Sequence, residues 1–248
     1  MLMRVVIAEC LKLKRTLALW MVVVAPLVVV GLQFLISNHM AASVAKRADP
    51  MWPQIIQNTV GLWTLLMMPL FLTLETSLLA GLEHTDKNWK ALLALPAPRW
   101  TVYAAKLLVT VALLWIAVGV LFGGTIVSGA LLARLHPDSK MGAMLWAPLA
   151  TPLSRIAVSA LLALTIQHWV SLRWPSFVAS LGFGMCVTVV GFVAVNSNEW
   201  GGLFPWSMPI HALRHATVGG VNVMVAGFGG ALLVALAGGW TFSRRDVN

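Results

Sequence analysis

The chain has 248 residues, of which 59% are hydrophobic and 10% are charged, and its mean hydropathy is +0.86. Soluble globular domains carry about 25% charged residues, so this composition excludes a soluble domain and indicates an integral membrane protein. The formal net charge is +9, but the basic residues are dispersed in short stretches without a long basic run, which argues against a nucleic-acid partner.

The first element predicted along the chain is an amphipathic helix over residues 1–15. One face of its helical wheel is apolar and carries Met3, Val6, Ile7, Cys10 and Leu13. The other face is polar and carries Arg4, Glu9, Lys12 and Arg15. We therefore expect an N-terminal interfacial helix that lies at the membrane surface. A cleavable signal peptide is the alternative, but the apolar run that follows is longer than the ~7 to 15 residues usual in such peptides.

Six apolar segments are long enough to cross a membrane, since about 20 residues at 1.5 Å rise cover about 30 Å of hydrocarbon. The spans are predicted at residues 17–37, 59–82, 102–130, 147–171, 177–195 and 218–241. No internal repeat is obvious, and no Pro-rich or Ser-rich linker separates them. The predicted fold is an all-α integral membrane protein with six transmembrane helices in a single domain over residues 1–248.

A long polar stretch, residues 83–106, separates the second and third spans. It begins with a cluster of charged side chains, Glu83, Asp86, Lys87 and Lys90. A short helix is predicted next, and its apolar face carries Trp89, Leu92 and Leu93. Pro96 ends this helix, and Arg99 and Lys106 then share nearly the same face of the following helix. An amphipathic helix between two spans is a surface for a partner protein.

Placing the carboxylate of Glu75 inside a span costs free energy, so we expect it either to have a function or to pair with a buried partner. Glu75 lies eight residues before Glu83, and Lys106 lies seven residues after Arg99. Two antiparallel spans joined by the polar stretch therefore bring Glu75 and Lys106 to a similar depth. We predict an intramembrane charge pair between them, and a proton-relay or substrate role for Glu75 is the alternative.

Three histidines are candidates for metal or haem ligation. His211 and His215 are four residues apart, but no H-E-x-x-H motif accompanies them, which favours structural or interfacial histidines over a metal site. His168 has no second histidine at a comparable depth in a neighbouring span, so a structural hydrogen bond is expected there. Cys10 and Cys186 lie in the leader and in the fifth span, and no disulfide is predicted.

Two features near the end of the chain predict local packing. Residues 199–215 mix turn formers with aromatic residues, which predicts short helices at the outer interface. Small residues four apart recur in the last span, at Ala226 and Gly230, Gly227 and Ala231, and Ala235 and Gly239, and in the third span at Gly119 and Gly123. This spacing predicts close helix packing, within the chain or across a dimer.

The distribution of basic residues predicts the orientation in the membrane. With the N-terminus inside, eleven lie on the inner side: Arg4, Lys12, Lys14, Arg15, Lys87, Lys90, Arg99, Lys106, Arg173, Arg244 and Arg245. Six lie on the outer side: Lys46, Arg47, Arg134, Lys140, Arg155 and Arg214. Because positive charges favour the cytoplasmic side, both termini are predicted to be cytoplasmic.

The polar stretch also resembles a known family. Its residues Glu83, Asn88, Trp89, Lys90, Leu92, Pro96, Arg99 and Lys106 are similar to the first cytoplasmic loop of type-2 ABC exporter permeases, in the branch of lantibiotic-immunity and bacitracin-resistance permeases. The tail, residues 242–247, is similar to the way many of those chains end. The resemblance implies a bacterial cytoplasmic (inner) membrane protein whose short helix between the second and third spans, including Leu93, is a cytoplasmic coupling helix for an ATP-binding cassette subunit.

Three classes of function can be weighed on the sequence. A permease subunit of an ATP-driven exporter fits the six spans and the absence of a G-x-x-x-x-G-K-[ST] loop, which would put ATP and Mg on a partner subunit and leave no cofactor on this chain. The family branch implies a second permease chain, identical or related, and antimicrobial peptides such as lantibiotics as substrates. An ion-coupled secondary transporter, or another polytopic membrane protein without an ATPase partner, is the alternative. An intramembrane enzyme would need converging polar groups, and Glu75 alone does not supply them.

Overall fold

The computed structural model describes residues 1–44, 50–85, 98–137, 140–143, 145–197, 201–214, 217–218 and 220–244. Six helices in this part of the chain are long and apolar enough to cross a membrane: Leu17–Met40, Met51–Leu82, Arg99–Leu135, Ala147–Arg173, Phe177–Ala194 and Val223–Ser243. The predicted all-α integral membrane fold with six transmembrane helices is confirmed.

A short helix at the N-terminus precedes the first span. This helix, α1, covers Leu2–Lys12, and it packs mainly against the third span. The chain then turns at Arg15, whose φ of 67° is left-handed, and enters α2, Leu17–Val44. Helix α2 is apolar on all sides as far as Leu32, as expected of a helix surrounded by lipid and other helices.

The second span is one continuous helix in three parts: α3, Met51–Leu62; a π-helical turn, Trp63–Met67; and α4, Met68–Thr85. It begins eight residues before the predicted boundary at 59, because its first turns are amphipathic. Trp52 and Ile55 are buried there, whereas Gln54 and Gln57 are exposed and lower the local hydropathy. Hydropathy alone therefore underestimates the length of this span.

The later helices, in chain order, are α5, Arg99–Leu135; α6, Ala147–Arg173; α7, Phe177–Ala194; α8, Met208–Arg214; and α9, Val223–Ser243. Helix α5 has 37 residues, so it is about 55 Å long and exceeds the ~30 Å hydrocarbon thickness. Helix α6 packs against α9, α4 and α5, and its Ile156 and Leu164 are fully buried. It is therefore the central helix of the bundle.

The segment between the fifth and sixth spans contains the short helices that the sequence predicts. A 3₁₀ turn covers Gly201–Leu203, and α8 packs against α6 and α9. Met208 and Ile210 of α8 are buried. A two-stranded hairpin, β1 at Thr217–Val218 and β2 at Val221–Asn222, then leads into α9. Because these residues form strands, the last span begins at 223 and not at the predicted 218.

Candidate functional site

The predicted coupling segment lies between two well-defined helix ends. Helix α4 ends at Thr85 and contains Glu83, while α5 begins at Arg99, with Pro98 as its N-cap. The other predicted coupling residues are Asn88, Trp89, Lys90, Leu92, Leu93 and Pro96, and they lie outside the described residues. Their docking role stays a prediction. Since α4 and α5 belong to the second and third spans, a displacement of the segment would act on both spans.

A buried ion pair lies close to this segment, where α1 meets α5. The Lys106 ammonium nitrogen is 2.6 Å from Glu9 Oε2, and the two side chains are only 5% and 8% exposed. Lys12 Nζ lies 2.8 Å from the other carboxylate oxygen, Oε1. Glu9 therefore accepts a charge-assisted hydrogen bond on each oxygen, which fixes α1 against α5. We call Glu9, Lys12 and Lys106 the charged junction.

The predicted pairing of Glu75 with Lys106 is wrong. Glu75 is 1% exposed, and neither of its carboxylate oxygens has a hydrogen-bond partner in the described part of the chain. The small cavity beside the Glu9–Lys106 pair is lined from α4 by Leu79 and Leu82. Glu75 lies a full turn beyond Leu79 on that face. The prediction, which used only depth along the helices, therefore put Glu75 too close to Lys106.

The predicted faces of the leader helix need the same correction. Met3 and Ile7 are 71% and 52% exposed, as expected of side chains that face lipid. Glu9, however, is 7% exposed, although the helical wheel puts it on the polar face. Because the apolar faces of membrane helices can be satisfied by lipid, the polar side chain of Glu9 turns toward the protein, where Lys106 is buried. The leader is therefore bound to the bundle through a charge.

Sequence reasoning missed Glu9 as a partner because a helical wheel contains no information about the neighbouring spans. One signal was available. The whole chain has eight acidic residues, so a lysine inside a span has few possible partners. Lys12, three residues after Glu9, also marks that turn of α1 as a place where charges meet.

A second polar cluster joins α4, α6 and α7 where α6 ends and α7 begins. The Ser180 hydroxyl lies 2.9 Å from that of Ser77 and 2.6 Å from that of Ser171. Gln167 Nε2 donates a hydrogen bond to the Ser180 carbonyl oxygen over 3.0 Å. Gly184 allows this close approach, because a Cβ there would collide with Thr73. These neutral hydrogen bonds hold three spans together and contain no acid, base or activated nucleophile.

The described histidines lie in separate surroundings. His168 Nδ1 lies 3.5 Å from the Thr110 hydroxyl, and its ring meets that of Tyr103 edge-on at 5.4 Å. His211 is buried in α8, whereas His215 lies outside the described residues. No group of three or more His, Cys, Asp or Glu side chains among the described residues could hold a metal ion. His168 thus has the structural surroundings that the sequence suggests.

Comparison with known proteins supplies the family. The family model described as ABC-2 family transporter protein matches residues 5–191, about three quarters of the chain. The matched region begins inside α1, covers the first four spans, the predicted coupling segment and the charged junction, and ends three residues before the end of the fifth span. No curated protein and no solved structure matches the chain. Because the match covers far more than half of its length, and six helices in the described part of the chain are long and apolar enough to cross a membrane, this protein belongs to the ABC-2 family of transporter proteins.

Proposed function

We propose that this protein is the permease subunit of an ATP-binding cassette exporter in the bacterial cytoplasmic membrane, with both termini in the cytoplasm. The observation that carries the proposal is the family match over residues 5–191 on a bundle of six spans. The sequence contains no phosphate-binding G-x-x-x-x-G-K-[ST] loop. ATP and Mg would accordingly bind a partner subunit, and this chain would respond to that subunit mechanically.

The coupling step of this proposal begins at the segment between α4 and α5. Its predicted apolar face, Trp89, Leu92 and Leu93, would dock on the ATP-binding subunit. The charged junction lies two turns into α5, since Lys106 follows Arg99 by seven residues. A movement of the segment would therefore reach α5 and α1 together, because the Glu9–Lys106 pair joins them. Helix α5 is long enough to carry that movement across the membrane.

The proposed substrates are hydrophobic or amphipathic molecules in the membrane, including antimicrobial peptides such as lantibiotics. This part of the proposal rests on the resemblance of the coupling segment to lantibiotic-immunity and bacitracin-resistance permeases. A second permease chain, identical or related, would complete the transporter. Gly119 and Gly123 of α5 suit such an interface, because a Cβ at either position would meet no atom within 4 Å in the single chain.

Docking can be tested on the predicted apolar face. The double variant Trp89→Ala and Leu93→Ala removes two large apolar side chains, so we expect the tagged chain to lose its ATP-binding subunit during purification from native membranes. Lys87→Ala lies on the opposite side of the predicted helix and is the matched control, which should retain the subunit. Co-purification of the double variant at the wild-type ratio would contradict docking through this face.

An ion-coupled secondary transporter is the second candidate, and Glu75 is the observation that favours it. Its buried carboxyl group has no hydrogen-bond partner among the described residues, and such a group can bind and release a proton during transport. The two functions differ in their energy source. Purified chain in vesicles should export substrate only when the ATP-binding subunit and ATP are present. Export driven by a proton gradient without ATP would favour the secondary transporter.

A further inference from the structure

A large cavity opens at the end of the bundle opposite to the charged junction. Its volume is about 930 Å³. It lies between α2, the first turns of the second span, the start of α6 and the end of α8. This volume is close to the upper end of the roughly 300–1,000 Å³ found for small-molecule sites. It can hold one amphiphile or a short apolar segment of a peptide, and it is too small for a folded partner.

The walls of the cavity are mostly apolar. Four large side chains that line it are 37% to 58% exposed, namely Ile36, Leu65, Leu145 and Leu213. Trp52 also lines it, and its indole nitrogen donates to the Leu145 carbonyl oxygen over 3.1 Å. Since that donor already has an acceptor, the Trp52 ring offers the cavity only apolar surface. An alkyl chain would find no unpaired polar group on this wall.

The polar groups of the cavity are few and lie on three elements. Gln33 of α2 is buried, and its amide nitrogen already donates to the Ser37 hydroxyl over 2.9 Å. Gln57 and Asn58 are adjacent, exposed amides on α3, and Arg214 is an exposed guanidinium at the end of α8. No carboxylate is present among the described residues that line the cavity. One cation with two amides therefore complements a negatively charged head group, since a guanidinium binds carboxylate and phosphate oxygens through two parallel hydrogen bonds.

We propose that this cavity binds an amphiphile with one anionic head group and an alkyl chain, with the head group at Arg214 and the chain against Ile36, Leu65 and Leu213. The proposal deepens the proposed function, because it names a chemical class for molecules that the exporter handles. It does not need the ATP-binding subunit, since the cavity is formed by a single chain.

Gly61 provides a way to fill the cavity without disturbing the fold. It lies on α3 and lines the cavity, and a Cβ at this position would meet no atom within 4 Å. Gly61→Leu therefore places an apolar side chain in the alkyl site. Gly182 on α7 also has open space around it but does not line the cavity, so Gly182→Leu is the matched control. Arg134→Gln, at the same end of the bundle, is the control for Arg214→Gln.

The test measures binding of dansyl-undecanoic acid and of its uncharged methyl ester to the purified chain in phosphatidylcholine nanodiscs. Arg214→Gln should weaken binding of the acid about tenfold, as expected for the loss of a charge-assisted hydrogen bond at an exposed site, and leave the ester unchanged. Gly61→Leu should abolish binding of both probes. Both control variants should bind like the wild type.

The outcomes separate the possible occupants. Displacement of the acid by phosphatidylglycerol in the nanodisc identifies a bilayer lipid as the ligand, whereas retention identifies a soluble amphiphile, and both support the site. Binding of the acid that neither Gly61→Leu nor Arg214→Gln reduces would overturn it. A shift from dimer to monomer in Gly61→Leu, with no probe binding to the wild type, would instead make this face an interface between two copies. Probe binding without ATP-dependent export would leave the site intact and overturn only the proposed function.

Discussion

Glu9 and Lys106 carry opposite charges in a place where neither side chain reaches the solvent freely. Each charge would be expensive to bury alone, and their contact at 2.6 Å offsets that cost. The junction differs in this respect from a surface ion pair, whose contribution is usually below about 1 kcal/mol. Removal of either residue alone should therefore destabilise the protein more than removal of both.

A double-mutant cycle tests this interaction. Glu9→Gln should lower the unfolding free energy by on the order of 3 kcal/mol, because it removes the carboxylate that offsets the buried charge of Lys106. Lys106→Met should lower it less, because Lys12 still binds the other oxygen of Glu9. The double variant should recover most of the loss caused by Glu9→Gln. Thermal unfolding in detergent provides the measurement, and Lys12→Met is the control, since the Lys12 side chain is 37% exposed. Additive losses in the cycle would show that Glu9 and Lys106 do not interact.

Glu75 should respond to the same chemical change in the opposite way. Its carboxyl oxygens have no hydrogen-bond partner in the described part of the chain, so Glu75→Gln removes an ionisable group without breaking a pair. An ionised carboxylate at the centre of a span costs about 2.5 to 3.5 kcal/mol on insertion scales, and a neutral amide avoids that cost. We expect an unchanged or raised melting temperature in detergent. A marked drop, like that expected for Glu9→Gln, would reveal a stabilising partner of Glu75.

Gly227 of α9 packs directly against the backbone of α6. A Cβ at Gly227 would collide with the backbone of Ser159 on α6, whereas a Cβ at Gly229 would meet no atom within 4 Å. Gly227→Val should therefore force the two helices apart and cost about 1 to 3 kcal/mol, as other overpacked sites do. Gly229→Val, two residues further along the same helix, should have little effect. Equal melting temperatures for the two variants would contradict this contact.

Six spans can be predicted from the sequence because about 20 apolar residues are needed to cross a bilayer, whatever their neighbours. The ends of the spans are less predictable. The start of α3 is amphipathic, and its exposed Gln54 and Gln57 lower the local hydropathy. The helix begins at Met51, before the apolar run that hydropathy detects. Helix α9 begins later than predicted because a hairpin precedes it. The hairpin turns at Gly220, whose φ of 80° suits a tight turn. Hydropathy records composition, and these ends are set by local packing.

In the candidate site, features set by neighbouring residues can likewise be predicted from the sequence, whereas contacts between distant residues cannot. The ends of the predicted coupling segment follow from local signals, since Pro98 precedes α5 and the charges of residues 83–90 interrupt the apolar pattern. The partner of Lys106 is a different matter, because Glu9 is 97 residues away in the sequence. Helix depth can be calculated from the rise per residue, but the choice between Glu9 and Glu75 depends on how α1 rests on α5. A single sequence contains no direct measure of that contact.

The whole molecule has two ends that differ in their contacts. At one end, α1 meets the start of α5, and Trp169 of α6 donates a hydrogen bond to Thr241 of α9 over 3.2 Å. At the other end, Trp52 of α3 binds the carbonyl oxygen of Leu145, and His136 lies 2.9 Å from Asn38. The N-terminal helix and the end of the last span therefore share one end of the bundle. The distribution of basic residues predicts that this end is cytoplasmic.

Cysteine labelling can test that orientation, provided that the reporter residues are exposed. Ser207 suits only a negative control, because it is fully buried and its hydroxyl binds the Gly201 carbonyl oxygen. Leu203 is 47% exposed at the predicted outer end, and Ser176 is exposed at the predicted inner end.

The labelling is done in a background with Cys10→Ser and Cys186→Ser, which removes both native thiols. Leu203→Cys should then react with an impermeant maleimide in intact cells. Ser176→Cys should react only after lysis, and Ser207→Cys only after denaturation. Labelling of Ser176→Cys, but not of Leu203→Cys, in intact cells would place both termini outside and contradict docking of a cytoplasmic ATP-binding subunit between α4 and α5.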